Sequence, residues 1–128
     1  MNNKSFTLIE VTVAIFLLTV GTVGAFSLIQ RTIVLSTIGA AQLQATYLAQ
    51  EGIEIVRNIR DSNWLAGVDW GNNLSSGVET GLLGRFDRQI VITELVPDNK
   101  IEVSVMVSWE ERGRSHQVTA QTELYNWR

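Results

Sequence analysis

Apolar and polar positions divide this chain into a long helical part and a strand-forming part. From Val11 to Gln30 twenty consecutive positions carry no charge, and at about 1.5 Å per residue a helix of that length matches the roughly 30 Å hydrocarbon core of a bilayer. A membrane-crossing helix is therefore expected over residues 6–30. One carboxylate, Glu10, interrupts the head of the apolar run. Placing such a group in lipid costs about 2.5–3.5 kcal/mol, so something should compensate for it. Beyond Arg31 the pattern changes without stopping. Ile38, Ala41, Ala45, Leu48, Gly52, Ile55 and Ile59 recur at steps of three and four, which places them along one face of a helix. Ala41, Ala45 and Gly52 are small enough to let a sheet or a second helix come close. No proline or strong turn signal precedes Asp61-Ser62-Asn63, so one continuous helix is predicted from about Phe6 to Arg60, with residues 31–60 as its amphipathic half. It would be roughly 80 Å long.

Residues 61–85 are rich in Gly, Asn, Asp and Ser and read as a connecting loop. Trp64 and Trp70 within it either pin the loop onto the core or serve as contact residues, since aromatic side chains suit both tasks. Residues 86–128 alternate as strands do. Ile101, Val103, Val105, Val107 and Trp109 fall on one face, with Glu102, Ser104, Met106, Ser108 and Glu110 on the other. Turn signals at Pro97-Asp98-Asn99-Lys100 and Glu111-Arg112-Gly113-Arg114 separate this segment from Phe86 to Val96 and from Ser115 to Tyr125. The expected fold class is α+β: a long N-terminal helix whose lower half packs on a small three-stranded antiparallel sheet, giving a ladle shape.

Composition narrows the function classes. The 128 residues fit one modest domain plus an anchoring segment, and the absence of cysteine removes disulfides and thiolate-bound zinc. A net charge of −3 gives no bulk field for nucleic acid. Arg112, Arg114 and Arg128 are read as a solvated edge rather than a nucleic-acid contact. His116 is the sole histidine and has no convergent partners, so it is read as structural. Asp61, Asn63, Asp69, Asn72 and Asn73 do not follow the spacing of a calcium loop. No enzyme, metal or cofactor is expected. Two further readings stay open for Gly21 and Gly24: close helix packing, or a local soft point in the helix.

The segment Ser5-Phe6-Thr7-Leu8-Ile9-Glu10-Val11, followed by the apolar run, resembles the processing and methylation motif of type IV pilins and type II secretion pseudopilins. Met1 to Ser5 reads as a leader too small for an ordinary secretory signal, which needs an apolar core of about 7–15 residues after its basic region. The resemblance implies cleavage by a prepilin peptidase between Ser5 and Phe6, N-methylation of Phe6, and a role for Glu10 in subunit assembly. Ser5 stands where the family most often has glycine. The resemblance also implies other pilin subunits, an inner-membrane assembly platform and membrane lipid as partners. The chain would sit in the inner membrane as a single pass with Lys4 on the cytoplasmic side, then enter a cell-surface or periplasmic filament. Residues 48–60 resemble the corresponding helix of V-type minor pilins. A permanently membrane-anchored extracellular binding domain is the competing function.

Overall fold

The computed structural model describes residues 5–126. The leader residues 1–4, including Lys4, and Arg128 of the basic edge lie outside the described residues. One helix, α1 (Leu8–Leu65), precedes four strands, β1 (Gly77–Leu82), β2 (Phe86–Val96), β3 (Lys100–Glu111) and β4 (Arg114–Tyr125). The chain forms two compact units, Met1–Ile38 and Gly39–Arg128, and each is taken by itself.

In the first unit α1 buries almost nothing against its own chain. Leu8, Ile15, Phe16, Leu18, Phe26 and Leu28 are all more than half exposed. The threonines among them hide their polar atoms: Thr12 donates to the Leu8 carbonyl, Thr19 to Phe16 and Thr22 to Leu18. Each hydroxyl thus carries its own hydrogen bond into apolar surroundings, where an unsatisfied one would be costly. By length and composition α1 is able to cross a membrane.

In the second unit the lower part of α1 lies on the sheet. Ala41, Ala45, Leu48, Ala49, Gly52 and Val56 are buried. Ile55, expected on this stripe, is 38 % exposed. Val56 and Ala49 take the inward places, because the buried line from Ala45 through Ala49 and Gly52 to Val56 follows the 3.6-residue turn. The facing residues of β3, Ile101, Val103, Val105, Val107 and Trp109, are all buried, as their alternation predicts. Phe86, Leu124 and Trp70 complete this core.

The sheet has four strands in the order β1-β2-β3-β4, not three. The additional strand, β1, arises inside the expected loop and pairs antiparallel with β2 through Gly77, Val78 and Glu79. Its side chains are largely exposed on both faces and glycines stand at its first and fifth positions, so no alternation announces it. It is held instead by Glu79 reaching Arg88 and by the Gly81 N–H donating to Asp87 Oδ1. The helix also runs beyond Arg60. It ends where Gly67 turns left-handed (φ 69°), with the Gly67 N–H on the Trp64 carbonyl and the Val68 N–H on the Asn63 carbonyl. This pair of bonds is the glycine-closed helix terminus, a stronger stop than Asp61-Ser62-Asn63.

Candidate functional site

The N-terminal end of α1 holds the residues that the sequence singled out. Ser5 and Phe6 lie in non-helical backbone just before Leu8, both exposed, with Phe6 at 78 %. A peptidase needs such a bond, since a helical one is closed into the hydrogen-bond ladder. Thr7 caps the helix by accepting the Glu10 N–H on its hydroxyl at 3.3 Å. Thr7 and Glu10 therefore have the spacing of a capping box. Glu10 lies in the first turn, where a negative charge suits the positive end of the helix dipole. Its carboxylate has no hydrogen bond or ion pair among the described residues. The structure thus brings Ser5, Phe6 and Glu10 to one helix end, and adds Thr7, whose role the spacing Thr7-x-x-Glu10 signals.

A family model for the prokaryotic N-terminal methylation motif matches residues 1–26. The chain carries the type IV pilin and pseudopilin signature. The motif marks a pilin-like precursor, which implies processing by prepilin peptidase and assembly with other pilin subunits. It points to a structural subunit rather than an enzyme, and with the exposed apolar helix it fits a membrane-anchored pilin. Neither the curated proteins nor the solved structures give a match.

The chain has a second polar centre in the sheet unit that sequence reasoning missed. Arg88 is 3 % exposed. Its Nη1 donates to the Leu48 carbonyl at 3.0 Å and to Glu51 at 3.2 Å, while Nε and Nη2 meet Glu79 at 2.5 Å. One guanidinium therefore ties α1 to β1 through β2, and its charge is met by two carboxylates, as a buried cation requires. The signal was present: Arg88 falls on the inward parity of Phe86, Ile90 and Ile92. Gly52 makes room for it. A Cβ there would stand 3.1 Å from Arg88 Cδ and 2.8 Å from Val105 Cγ1.

The remaining candidates hold structural positions. Trp70 is buried and pins the loop, whereas Trp64 is 50 % exposed. Asp61 pairs with Arg60, Asn63 donates to the Trp70 and Asn72 carbonyls, and Asp69 accepts the Gly71 N–H. Between them these three side chains make four local bonds. His116 stacks on Trp109 with ring centroids 5.4 Å apart.

Proposed function

We propose that the chain is a minor pilin or pseudopilin. It is held in the inner membrane by residues 6–30, trimmed between Ser5 and Phe6, N-methylated on Phe6, and polymerised through its apolar helix after extraction by an assembly platform. The observation that carries this reading is the Glu10 carboxylate, without a partner among the described residues, in a helix whose threonines Thr12, Thr19 and Thr22 bond back to its own carbonyls. Cleavage would create an ammonium group on Phe6, at the end of α1 where the helix dipole already places about half a positive charge. That ammonium needs a carboxylate, and Glu10 of a neighbouring subunit supplies it. In a bundle without water the two charges offset much of each other's desolvation, and pairing them sets the register between subunits.

The capping-box spacing offers the Glu10 side chain a competing, purely local role toward the Thr7 N–H, and substitution separates the two. Glu10→Gln keeps a side chain suited to the box but removes the charge. Thr7→Ala removes the cap acceptor and keeps the charge, at a cost of about 1 kcal/mol. Charge pairing predicts that Glu10→Gln and Glu10→Ala are both trimmed normally yet fall together, by roughly tenfold or more for a lost buried pair, in the sheared filament fraction. Thr7→Ala would remain near the parent level. Normal incorporation of Glu10→Gln would overturn charge pairing and leave the cap as the function of Glu10.

One observation favours the anchored binding domain as a second reading. A groove of about 430 Å³ lies beside Trp64, Trp70 and Tyr125. Under that reading the leader stays attached, and the chain is found in the membrane alone.

A further inference from the structure

The two edges of the sheet are unlike, and the difference carries information. β1 is blunted: it is six residues long, its register shifts between Glu79 and Leu82, and Gly81 within it turns left-handed (φ 73°). Short length and bulges are the usual protection against edge pairing. β4 has none of this. Its twelve residues pair with β3 without a break, from Glu111↔Arg114 to Lys100↔Tyr125. From Ser115 to Thr122 it carries no carboxylate, lysine or arginine and no proline. Every second residue of such a strand turns its N–H and C=O away from the sheet. Along the same edge the inward-facing Val118, Ala120 and Thr122 stay half-buried, while their β3 partners Val107, Val105 and Val103 are completely buried. The core is open on this side.

We propose that β4 is an assembly edge that receives an extended segment from a different subunit of the same filament. This rests on the filament reading above. The chemistry of the edge specifies the occupant: about six to eight residues, enough to span residues 115–122, with apolar side chains at the alternate positions beside Val118 and Ala120. Arg114 makes no ion pair among the described residues, so an acidic residue is expected at the end of the segment that lies beside it. A second copy fits poorly. Its β1 would bring Gly77 and Glu79 to the inward positions, and that Glu79 already serves Arg88. Its β4 would pair through a twofold axis, which closes a dimer instead of extending a filament.

The chain has no cysteine, so one introduced thiol is unique. Full-length Thr119→Cys, on the exposed face of β4, is expressed in its native cells and treated with a thiol-to-amine cross-linker of short span. Gln89→Cys, on the exposed face of the interior strand β2, is the control. The expected result is a heterotypic adduct in the sheared filament fraction, roughly tenfold stronger from Thr119→Cys than from the control. The linked peptide would come from another chain bearing the methylation motif and show alternate apolar residues. Adding Ala120→Lys, an inward charge on the edge, should abolish the adduct while the protein level holds. A chain that enters filaments but gives no adduct, a homotypic one, or equal yields from both sites overturns the edge assignment and leaves the filament reading intact. A chain that never leaves the membrane overturns both.

Discussion

Gly52 offers the sharpest test of the helix-to-sheet packing, because helix propensity and packing predict opposite signs there. In an exposed helix, Gly→Ala is stabilising by about 1 kcal/mol, since glycine loses more backbone freedom on folding. At Gly52 the added Cβ would stand 2.8 and 3.3 Å from the two methyl carbons of Val105 and 3.1 Å from Arg88 Cδ. Carbon atoms pack at about 3.5–4.0 Å, so roughly 1 Å must be found. Val105 cannot supply it easily: it is completely buried, branched at Cβ, and paired to Ile90 on one side and Ala120 on the other. Arg88 cannot move far without lengthening its bonds to Leu48 and Glu79. Overpacking of this kind costs about 1–3 kcal/mol. The net for Gly52→Ala is a destabilisation of about 0–2 kcal/mol after the propensity gain is subtracted, against the stabilisation that propensity alone predicts.

Gly39 is the control, because a Cβ there meets nothing within 4 Å. Gly39→Ala should stabilise by about 0.5–1 kcal/mol. The assay is urea unfolding of the full chain in detergent micelles, followed by the fluorescence of the buried Trp70 and Trp109. A third variant tests the contact itself. Val105→Ala costs about 2–3 kcal/mol alone, and in combination with Gly52→Ala the two should couple favourably by at least about 1 kcal/mol, since each makes room for the other. If Gly52→Ala stabilises like Gly39→Ala, or the pair is additive, the helix does not approach the sheet at Gly52 as described.

The polar ties of the sheet unit give two more predictions. Glu79→Gln leaves Arg88 buried with less compensation and should destabilise by about 1–2 kcal/mol, reduced because the Glu79 side chain is itself 48 % exposed, as chemical denaturation of the variant will show. On β3 and β4, Lys100 lies 2.7 Å from Glu123, whose carboxylate also accepts the Tyr125 hydroxyl. The hydrogen bond from Lys100, then that from Tyr125, holds Glu123 below its ordinary 4.5, and the hydrogen bond to Glu123 raises Lys100 above 10.5. Glu123 therefore contributes stability above pH 4.5 that fades as pH falls through its lowered folded value, and Lys100 contributes stability below pH 10.5 that fades as pH rises through its raised one. The stability gap between the parent chain and Glu123→Gln should be level between those limits and close at both ends. A gap unchanged at pH 2 would refute the assignment.

The long helix and β3 were legible in the sequence because each repeats one physical period over many residues. Burial of Ile101, Val103, Val105, Val107 and Trp109 follows alternation alone. β1 was hidden for the converse reason. Val78, Thr80 and their neighbours face solvent on both sides, and the strand exists through Glu79, Gly81 and a partner, Arg88, that becomes visible only once β2 is placed beside it. The helix end was misplaced because polar residues at 61–63 look like a stop, whereas Asn63 and Trp64 still offer carbonyls that Val68 and Gly67 close. The shift of the buried stripe from Ile55 to Val56 is a rotation of one position, within what steps of three and four leave undecided. At the candidate site, the motif from Ser5 to Val11 was readable as a string. The cap from Thr7 to Glu10 needed the helix start at Leu8 to be fixed first.

The mass of the mature N-terminal peptide decides whether this chain is a filament subunit released from a leader. Protein recovered from native cells, in the membrane and in the sheared filament fraction, is digested and the N-terminal peptide sequenced by mass spectrometry. A filament subunit yields a peptide that begins at Phe6 and carries one methyl group on its amino nitrogen. A mature chain that still begins at Met1, with Ser5 joined to Phe6, would contradict it and leave an anchored surface domain in its place.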